Sequence, residues 1–364
     1  MKQTFIKRLD RYIIKKFIGT YLFTLLIVIL IVVIFDLSEK IDKFVDKAVP
    51  VNEIVLNYYA GFIPWLLNSF SPLFVFIAVI FFTSKLASNS EIIAILSSGV
   101  SFRRLMLPYM ASATVITILS LFLSLVVIPP ANKMRLDFEN KYIKTQNTNL
   151  GLRNYHYQIA PGQFVYVEQF SEWANTAYRF SLETIEENRL VSKISAESAA
   201  WDSLAGGWNL RNYFRRDFHG DAEIVTVGRT CDTVISLRVE DFYRRKNFVE
   251  SLNGKELNEM IAVQQMRGDP MVIYGQIEKY NRIAMPFSAF VLTVMAVALS
   301  SRKRRGGTGL NIGVGLALSF SYILFMRFSQ MFVYTGTLSP GLAMWLPNIL
   351  YAIIAVFLYR MAPK

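Results

Sequence analysis

Six long stretches of the chain carry at most one Asp, Glu, Lys or Arg. Each is long enough to cross a hydrocarbon core, which takes about 20 helical residues. They are Phe17 to Phe35, a run from Ile54 to Ser84, Leu105 to Ile128, Ile283 to Ser301, Leu310 to Tyr334 and Leu342 to Tyr359. Pro64 and Pro72 interrupt the second run, so its span is predicted at about 62–83 with a bent or broken start. Pro129 and Pro130 are expected to close the third span, and Thr335 to Gly341 reads as a short turn between the last two. Asp36-Leu37-Ser38-Glu39-Lys40 offers no small-residue cleavage site, so the first stretch reads as an uncleaved helix and not as a signal peptide.

Between the third and fourth spans the pattern changes from continuous to alternating. Tyr178, Phe180 and Leu182 alternate with Arg179, Ser181 and Glu183; Trp208, Leu210 and Phe214 oppose Asn209, Arg211 and Tyr213; Ile235, Leu237 and Val239 oppose Ser236, Arg238 and Glu240. Period two of this kind marks half-buried strands. Asn188-Arg189 and Gly206-Gly207 sit where hairpin turns are wanted. The pattern predicts an antiparallel sandwich or open barrel, whose apolar interior is either a filled core or a lipid-holding groove. Leu252 to Lys279 is helix-like with a break at Gly268-Asp269-Pro270 and reads as a connector back to the membrane. Three segments follow: residues 1–130 with three spans, 131–280 with the β domain and its helical connectors, and 281–364 with three more spans.

The composition agrees: 53% of the 364 residues are hydrophobic and 18% charged, against about 45–50% and about 25% in a soluble protein. The net charge of +12 is open to a nucleic-acid, anionic-lipid or topological reading until its placement is examined. Lys2, Lys7, Arg8, Arg11, Lys15 and Lys16 precede the first span; Lys85, Arg103 and Arg104 lie between the second and third; Arg302 to Arg305 lie between the fourth and fifth; Arg360 and Lys364 follow the last. All four places fall on one side of a six-span chain. The positive-inside rule therefore predicts cytoplasmic termini and an extracytoplasmic β domain, and no nucleic acid is implied.

Catalytic signatures are missing. The sequence contains no G-x-x-x-x-G-K-[ST], H-E-x-x-H or G-x-S-x-G pattern. One cysteine, Cys231, and two histidines, His156 and His219, leave little for a metal site or a Ser-His relay. Gly306-Gly307-Thr308-Gly309 follows no soluble strand and reads as a hinge between helices. The most specific local feature is Ser88 to Gly99, in the loop between spans two and three. Ser88 and Glu91 have the spacing of a capping box and Gly99 suits a left-handed stop. A helix of two turns is marginal alone, so this one either lies at the membrane interface or inserts into a cytoplasmic partner.

These features together resemble the LptF/LptG permease family, also called the YjgP/YjgQ type, the transmembrane subunits of the lipopolysaccharide exporter. The resemblance rests on Asp10-Arg11-Tyr12-Ile13, Asn89-Ser90-Glu91 with Ser98-Gly99-Val100-Ser101, and Pro130-Ala131-Asn132. It continues in Glu278 with Arg282 to Phe287, Arg304 to Gly309 and Trp345-Leu346-Pro347-Asn348. The Asp-Arg-Tyr opening and Gln163 to Glu168 are closer to the LptG half. The resemblance implies a membrane α-helical fold with a periplasmic jellyroll-like insert, in the inner membrane. It implies a separate LptB-like ATPase dimer that binds ATP and Mg while this chain binds no cofactor, a paired LptF-type permease, and an LptC/LptA-like periplasmic bridge. Ser88 to Gly99 becomes the coupling helix, with Glu91 as its polar contact to the ATPase, Ile92, Ile95 and Leu96 as apolar contacts, and Asn89, Ser90 and Gly99 as further coupling residues. A lipid cavity would be lined by spans one, two and five.

Arg327 is the one basic residue inside a span and is by default a functional candidate. It either binds lipid phosphates or reaches the outer interface. Lys40, Lys43 and Lys47 lie where an anionic glycolipid head would pass, although Asp36, Glu39, Asp42 and Asp46 beside them also fit a salt-bridged, solvated helix. Two other readings stand beside the exporter: a permease-like mechanotransmission protein that moves no lipid, and a membrane-anchored scaffold docking partners by strand pairing.

Overall fold

The computed structural model describes residues 8–143, 153–171, 174–203, 205–220, 222–235, 237, 239–242, 246–269, 271–301 and 307–362. The predicted features at Lys2, Lys7, Ser236, Arg238, Pro270, Arg302 to Gly306 and Lys364 lie outside these residues. The chain falls into two compact units. One takes in the chain up to Ile143, Glu250–Gly254 and everything from Gln276 on; the other runs from the first strand to Val249 and adds Lys255–Gly275.

The first unit is helical, and six of its helices are long and apolar enough to cross a membrane. α1, Arg8–Asp46, is continuous over 39 residues, about 58 Å at 1.5 Å per residue. It runs on past the end of the apolar stretch at Phe35 through the acid-rich residues, as a salt-bridged helix there requires. α2 (Val51–Glu53), a π-helical stretch (Ile54–Tyr59) and α3 (Ala60–Ser69) come next, with Pro64 inside α3. The break in the second apolar run falls later than predicted. Phe70 leaves helical geometry at φ −105°, ψ 5°, and α4 (Ser71–Ser88) starts there with Pro72 in its first turn, where a missing N–H costs nothing. The seven-residue α5 (Glu91–Ser97) follows, then α6 (Phe102–Phe122).

Pro129 and Pro130 do not close the third span. A π-helical segment, Leu123–Val127, leads into α7 (Ile128–Phe138), and a second, Glu139–Ile143, follows it. A proline removes an i to i−4 hydrogen bond and its ring strikes the preceding turn. The wider π turn just before Ile128 accommodates both, so the helix continues. After the insert come α10 (Val272–Ser300), α11 (Gly307–Tyr334) and α12 (Pro340–Met361).

α4 is the centre of the bundle: Phe74, Val75, Phe76, Ala78, Val79 and Ile80 are all buried. α1 and α11 both pack on it while keeping broad apolar faces exposed, Phe23, Leu30, Ile34 and Phe35 on α1 and Phe320, Leu324 and Phe328 on α11. Two glycines set how closely helices approach. A Cβ on Gly315 would run into the tip of Ile80, whereas one on Gly61 would strike the backbone oxygen of Ala131 and come 2.8 Å from Cβ of Arg135.

The second unit is built on one six-stranded antiparallel sheet: β1 (Arg153–Ala160), β2 (Gln163–Ser171), β3 (Thr176–Glu186), β4 (Arg189–Asp202), β5 (Gly207–His219) and β6 (Ala222–Thr233). Neighbours in the sheet are neighbours in the chain, so the strands form a meander. The β3–β4 turn is Glu187-Asn188, both at positive φ (47° and 66°), one residue earlier than predicted. Gly206, at φ 62°, makes the β4–β5 turn as expected.

The alternation reverses partway along the strands. Val167 and Phe170, Ala177 and Phe180, and Ala196 and Ala199 are buried at a spacing of three, not two. In β3 and β5 the backbone turns to positive φ at the reversal, at Arg179 (50°) and Asn212 (49°). Tyr178 and Phe214, predicted on the core face, are therefore exposed, and Tyr213 packs against the core in place of Phe214. The reversal carries polar partners: Arg179 to Glu168 at 2.9 Å, and Asn212 Nδ2 donating to Glu197 at 2.6 Å.

Ile235, Leu237 and Val239 lie beyond the end of β6 at Thr233, and Val239 opens the short α8 (Val239–Phe242) instead of continuing a strand. This segment packs the sheet's inner face. Trp208 Nε1 donates to the Leu237 carbonyl at 2.8 Å, and Phe242 stacks on Phe170 with ring centroids 4.3 Å apart. The described interior is thus filled with side chains. α9 (Gly254–Met266) follows, and Gly268, at φ 64°, turns the chain toward α10.

Gly61→Ala is expected to destabilise the purified chain by about 1–3 kcal/mol, because the backbone it meets cannot step aside. Gly315→Ala is expected to be nearly neutral, since the Ile80 side chain can rotate away. Thermal unfolding of both variants in detergent checks the contrast.

Candidate functional site

The coupling segment begins differently from its predicted capping box. α4 runs through Ser88, so Ser88 ends one helix and does not begin the next. The turn is made by Asn89 and Ser90, and Ser90, the N-cap of α5, sits at φ 62° with no side-chain cap bond. Gly99 stops the helix at φ 86°, as expected. Ser98 Oγ donates to the Ile95 carbonyl at 2.7 Å.

About two turns of helix need tertiary support. Ile92, 1% exposed, supplies it by entering the membrane unit's main core, with Ile95 and Leu96 half-buried against that core. The outward surface of α5 is made instead by Ile93, Ala94 and Ser97.

One hydrogen bond ties this segment to the start of α1, and an ion pair ties the start of α6 to the same turns. Tyr12 donates its hydroxyl to Glu91 Oε2 at 2.9 Å, and Asn89 Nδ2 approaches Glu91 Oε1 at 3.3 Å. Arg104, in the first turn of α6, makes a two-pronged bond to the buried Asp10, at 2.7 and 2.6 Å. Such a fork holds a carboxylate in one orientation as well as neutralising it. The Asp10-Arg11-Tyr12-Ile13 stretch and the Asn89-Ser90-Glu91 stretch, far apart in sequence, therefore meet. Ile13 and Phe17, both fully buried, seat the same turns of α1 in the core.

A second polar cluster gathers other motif residues. Arg282 Nε bonds Glu278 at 2.7 Å, and Nη1 of the same guanidinium donates to the Leu252 carbonyl at 2.8 Å. Asn132 Nδ2 lies 3.4 Å from Glu250 Oε2. Arg135 stacks over Trp65 at 4.9 Å and pairs with Glu139 at 3.5 Å. Asn348 Nδ2 donates to the Ala284 carbonyl at 2.7 Å while accepting from the Tyr322 hydroxyl at 2.8 Å. That contact joins the Trp345 to Asn348 motif to the Arg282 to Phe287 motif. Arg135 and Glu250 carried no signal in the sequence, since neither stands in a pattern.

The four basic candidates do not form one patch. Lys40 is engaged within the chain: it pairs with Asp36, reaches the Tyr58 hydroxyl, and its ammonium lies 4.8 Å from the Tyr58 ring and 5.7 Å from that of Phe62. Lys43 and Lys47 are exposed on and just beyond the end of α1. Arg327 is exposed on α11, on the face that carries Phe320, Leu324, Phe328 and Met331. Among the described residues no group of three or more His, Cys, Asp or Glu is placed to hold a metal ion.

Six spans with a β-sheet inserted between the third and fourth, and a short helix pinned to the bundle between the second and third, define a multi-pass membrane protein of the permease type. The sequence matches the family model for the lipopolysaccharide export system permease LptF/LptG over residues 11–361, and the chain belongs to that family. The family takes LptF and LptG together. No curated protein matches the sequence significantly.

Asp10→Ala is expected to lower the unfolding midpoint, because it removes both prongs that join α1 to the partly exposed Arg104 of α6. Adding Arg104→Ala should then cost little more. A double-mutant cycle of unfolding midpoints in detergent measures the coupling, and strictly additive losses would dissolve the pair.

Proposed function

We propose that the chain is one of two permease subunits through which an ATP-driven exporter lifts lipopolysaccharide from the outer leaflet of the inner membrane and passes it to an LptC/LptA-like periplasmic bridge. It acts without catalysing chemistry itself. ATP and Mg are bound by an LptB-like dimer on the cytoplasmic side. The basic residues of the N-terminus, of residues 85–104 and of the C-terminus support placing both termini there, with the sheet in the periplasm. The Asp-Arg-Tyr opening favours the LptG half, with an LptF-type chain as partner.

The observation that carries this reading is the attachment of Glu91, at the start of α5, and of Arg104, at the start of α6, to the first turns of α1. In use, Asn89, Ser90 and Glu91 form the shoulder of a coupling helix that the ATPase pushes, and Gly99 ends it. Ile93, Ala94 and Ser97 offer the outward contact surface. Ile92, Ile95 and Leu96 act from within, as the seat that passes the push to the bundle. Asp10–Arg104 and Tyr12–Glu91 deliver it to α1, whose exposed apolar face, with that of α11, lines the lipid path. Arg327 meets lipid phosphates there, with Lys43 and Lys47 near the exit. Lys40 shapes the wall through its rings and acid and does not act as a free cation.

Glu91→Lys is expected to abolish export in reconstituted vesicles while the complex still assembles and hydrolyses ATP. Tyr12→Phe, which deletes one charge-assisted hydrogen bond, should lower export by about tenfold. Unchanged export in both variants would remove α5 from the coupling role. A photo-crosslinking side chain in place of Arg327 should capture lipopolysaccharide and one in place of Arg103 should not; equal labelling would overturn the outer-leaflet path and favour a mechanotransmission protein.

A further inference from the structure

The buried polar cluster around Glu250 holds three carboxylates, Glu250, Glu278 and Glu139, but only two guanidiniums, Arg135 and Arg282. Glu278 is matched by Arg282 at 2.7 Å and Glu139 by Arg135 at 3.5 Å. Glu250 is the acid left over. Its neighbours are Asn132 and Arg135 of α7, Trp65 of α3, and Glu278 and Arg282 of α10, and its side-chain donor is the distant Asn132 amide at 3.4 Å.

An independent feature points to what the site takes. Asn132 is fully buried, and its Oδ1 has no hydrogen-bond partner. An orphan acceptor of this kind is costly, because it has lost its water without gaining a partner. A half-turn of the side chain exchanges the two ends of the amide, setting Oδ1 toward Glu250 and Nδ2 where Oδ1 lay. A carboxylate cannot donate to it, but a carboxylic acid can.

We infer that Glu250 is a proton-binding site, in which the protonated carboxyl donates to Asn132 Oδ1 and the ionised one faces Glu278 across Arg282. The step is an exchange of one proton with water. Its consequence is local, because Arg282 also holds the backbone carbonyls of Leu252, at 2.8 Å, and of Glu250, at 3.4 Å. An ionised Glu250 competes with Glu278 for that guanidinium and loosens its hold on residues 250–252. The segment matters, because Glu250–Gly254 belongs to the membrane unit while the chain on either side belongs to the other. Nothing in this inference depends on the role assigned to α5.

Burial first, and then the charge of Glu278, push the Glu250 carboxyl up to about 7; Arg135, the Trp65 indole and Arg282 pull the other way. In the unfolded chain the group titrates at about 4.3. Between those values the folded chain holds a proton that the unfolded chain has released. The contribution of Glu250 to stability therefore falls as pH rises through this window and levels off above it.

The test uses the full-length chain in detergent. Infrared spectra should show a protonated-carboxyl C=O band that fades between about pH 6 and about pH 8 and is missing in Glu250→Gln. The unfolding midpoint of the wild type should fall relative to that of Glu250→Gln as pH rises from about 5 to about 7. Glu278→Gln, which removes the repelling charge, should move the fading of the band to lower pH and keeps the test open if Glu250→Gln does not fold. Spectra and midpoints of wild type and Glu250→Gln that run parallel across this range would overturn the proposal, as would a band that Glu278→Gln leaves in place.

Discussion

A charge drawn out of water into a bundle of apolar helices has to find its counter-charge within the chain, because the desolvation cost is several kcal/mol for each ion. That constraint organises the membrane unit. Asp10 finds Arg104, Glu278 finds Arg282, Arg135 finds Glu139 and the face of Trp65, and Lys40 finds Asp36 and two aromatic rings. Each pairing joins helices distant in sequence or braces one turn against the next. These polar pairings thus fix which helices meet, while Phe76, Val79 and Ile80 of α4 supply the close packing around them.

Backbone hydrogen bonding sets a second limit, since lipid offers no substitute partner. Prolines 129 and 130 could have ended the third span. The π turn ahead of them lets the helix run on to carry Asn132 and Arg135 to the second polar cluster. At Pro72 the opposite solution is used, and the chain breaks at Phe70 before the new helix starts. The prolines themselves are plain in the sequence. Which solution each adopts depends on whether the neighbouring helices leave room for a widened turn, and that information is tertiary.

The same division runs through the rest of the chain. Span number, the antiparallel insert and the stops at Gly99 and Gly206 were legible, because apolar length, period two and glycine conformational freedom are local properties. The start of α5 was misread: Ser88 and Glu91 have the right spacing, but α4 runs up to Ser88 because Leu86 and Ala87 are buried in the core. Ile92, chosen as an outward contact for its apolar character, was taken inward for the same reason. The strand faces were misread at Tyr178 and Phe214, since a single left-handed residue inverts the alternation and neither Arg nor Asn announces it. Glu250 had no pattern to betray it, and its significance comes wholly from what surrounds it.

The unbroken run of α1 has a mechanical meaning. From Tyr12 to Lys43 the helix spans about 46 Å, with its near end bolted to α5 and α6 and much of its length in contact with little else in the chain. A rigid rod held at one end is a lever: a tilt of about 5° at the bolted turns sweeps the far end by about 4 Å. A broken helix would have dissipated that motion at the joint. The absence of proline and the single glycine, Gly19, between Arg8 and Asp46 would thus let a small displacement at Tyr12 arrive magnified at Lys43.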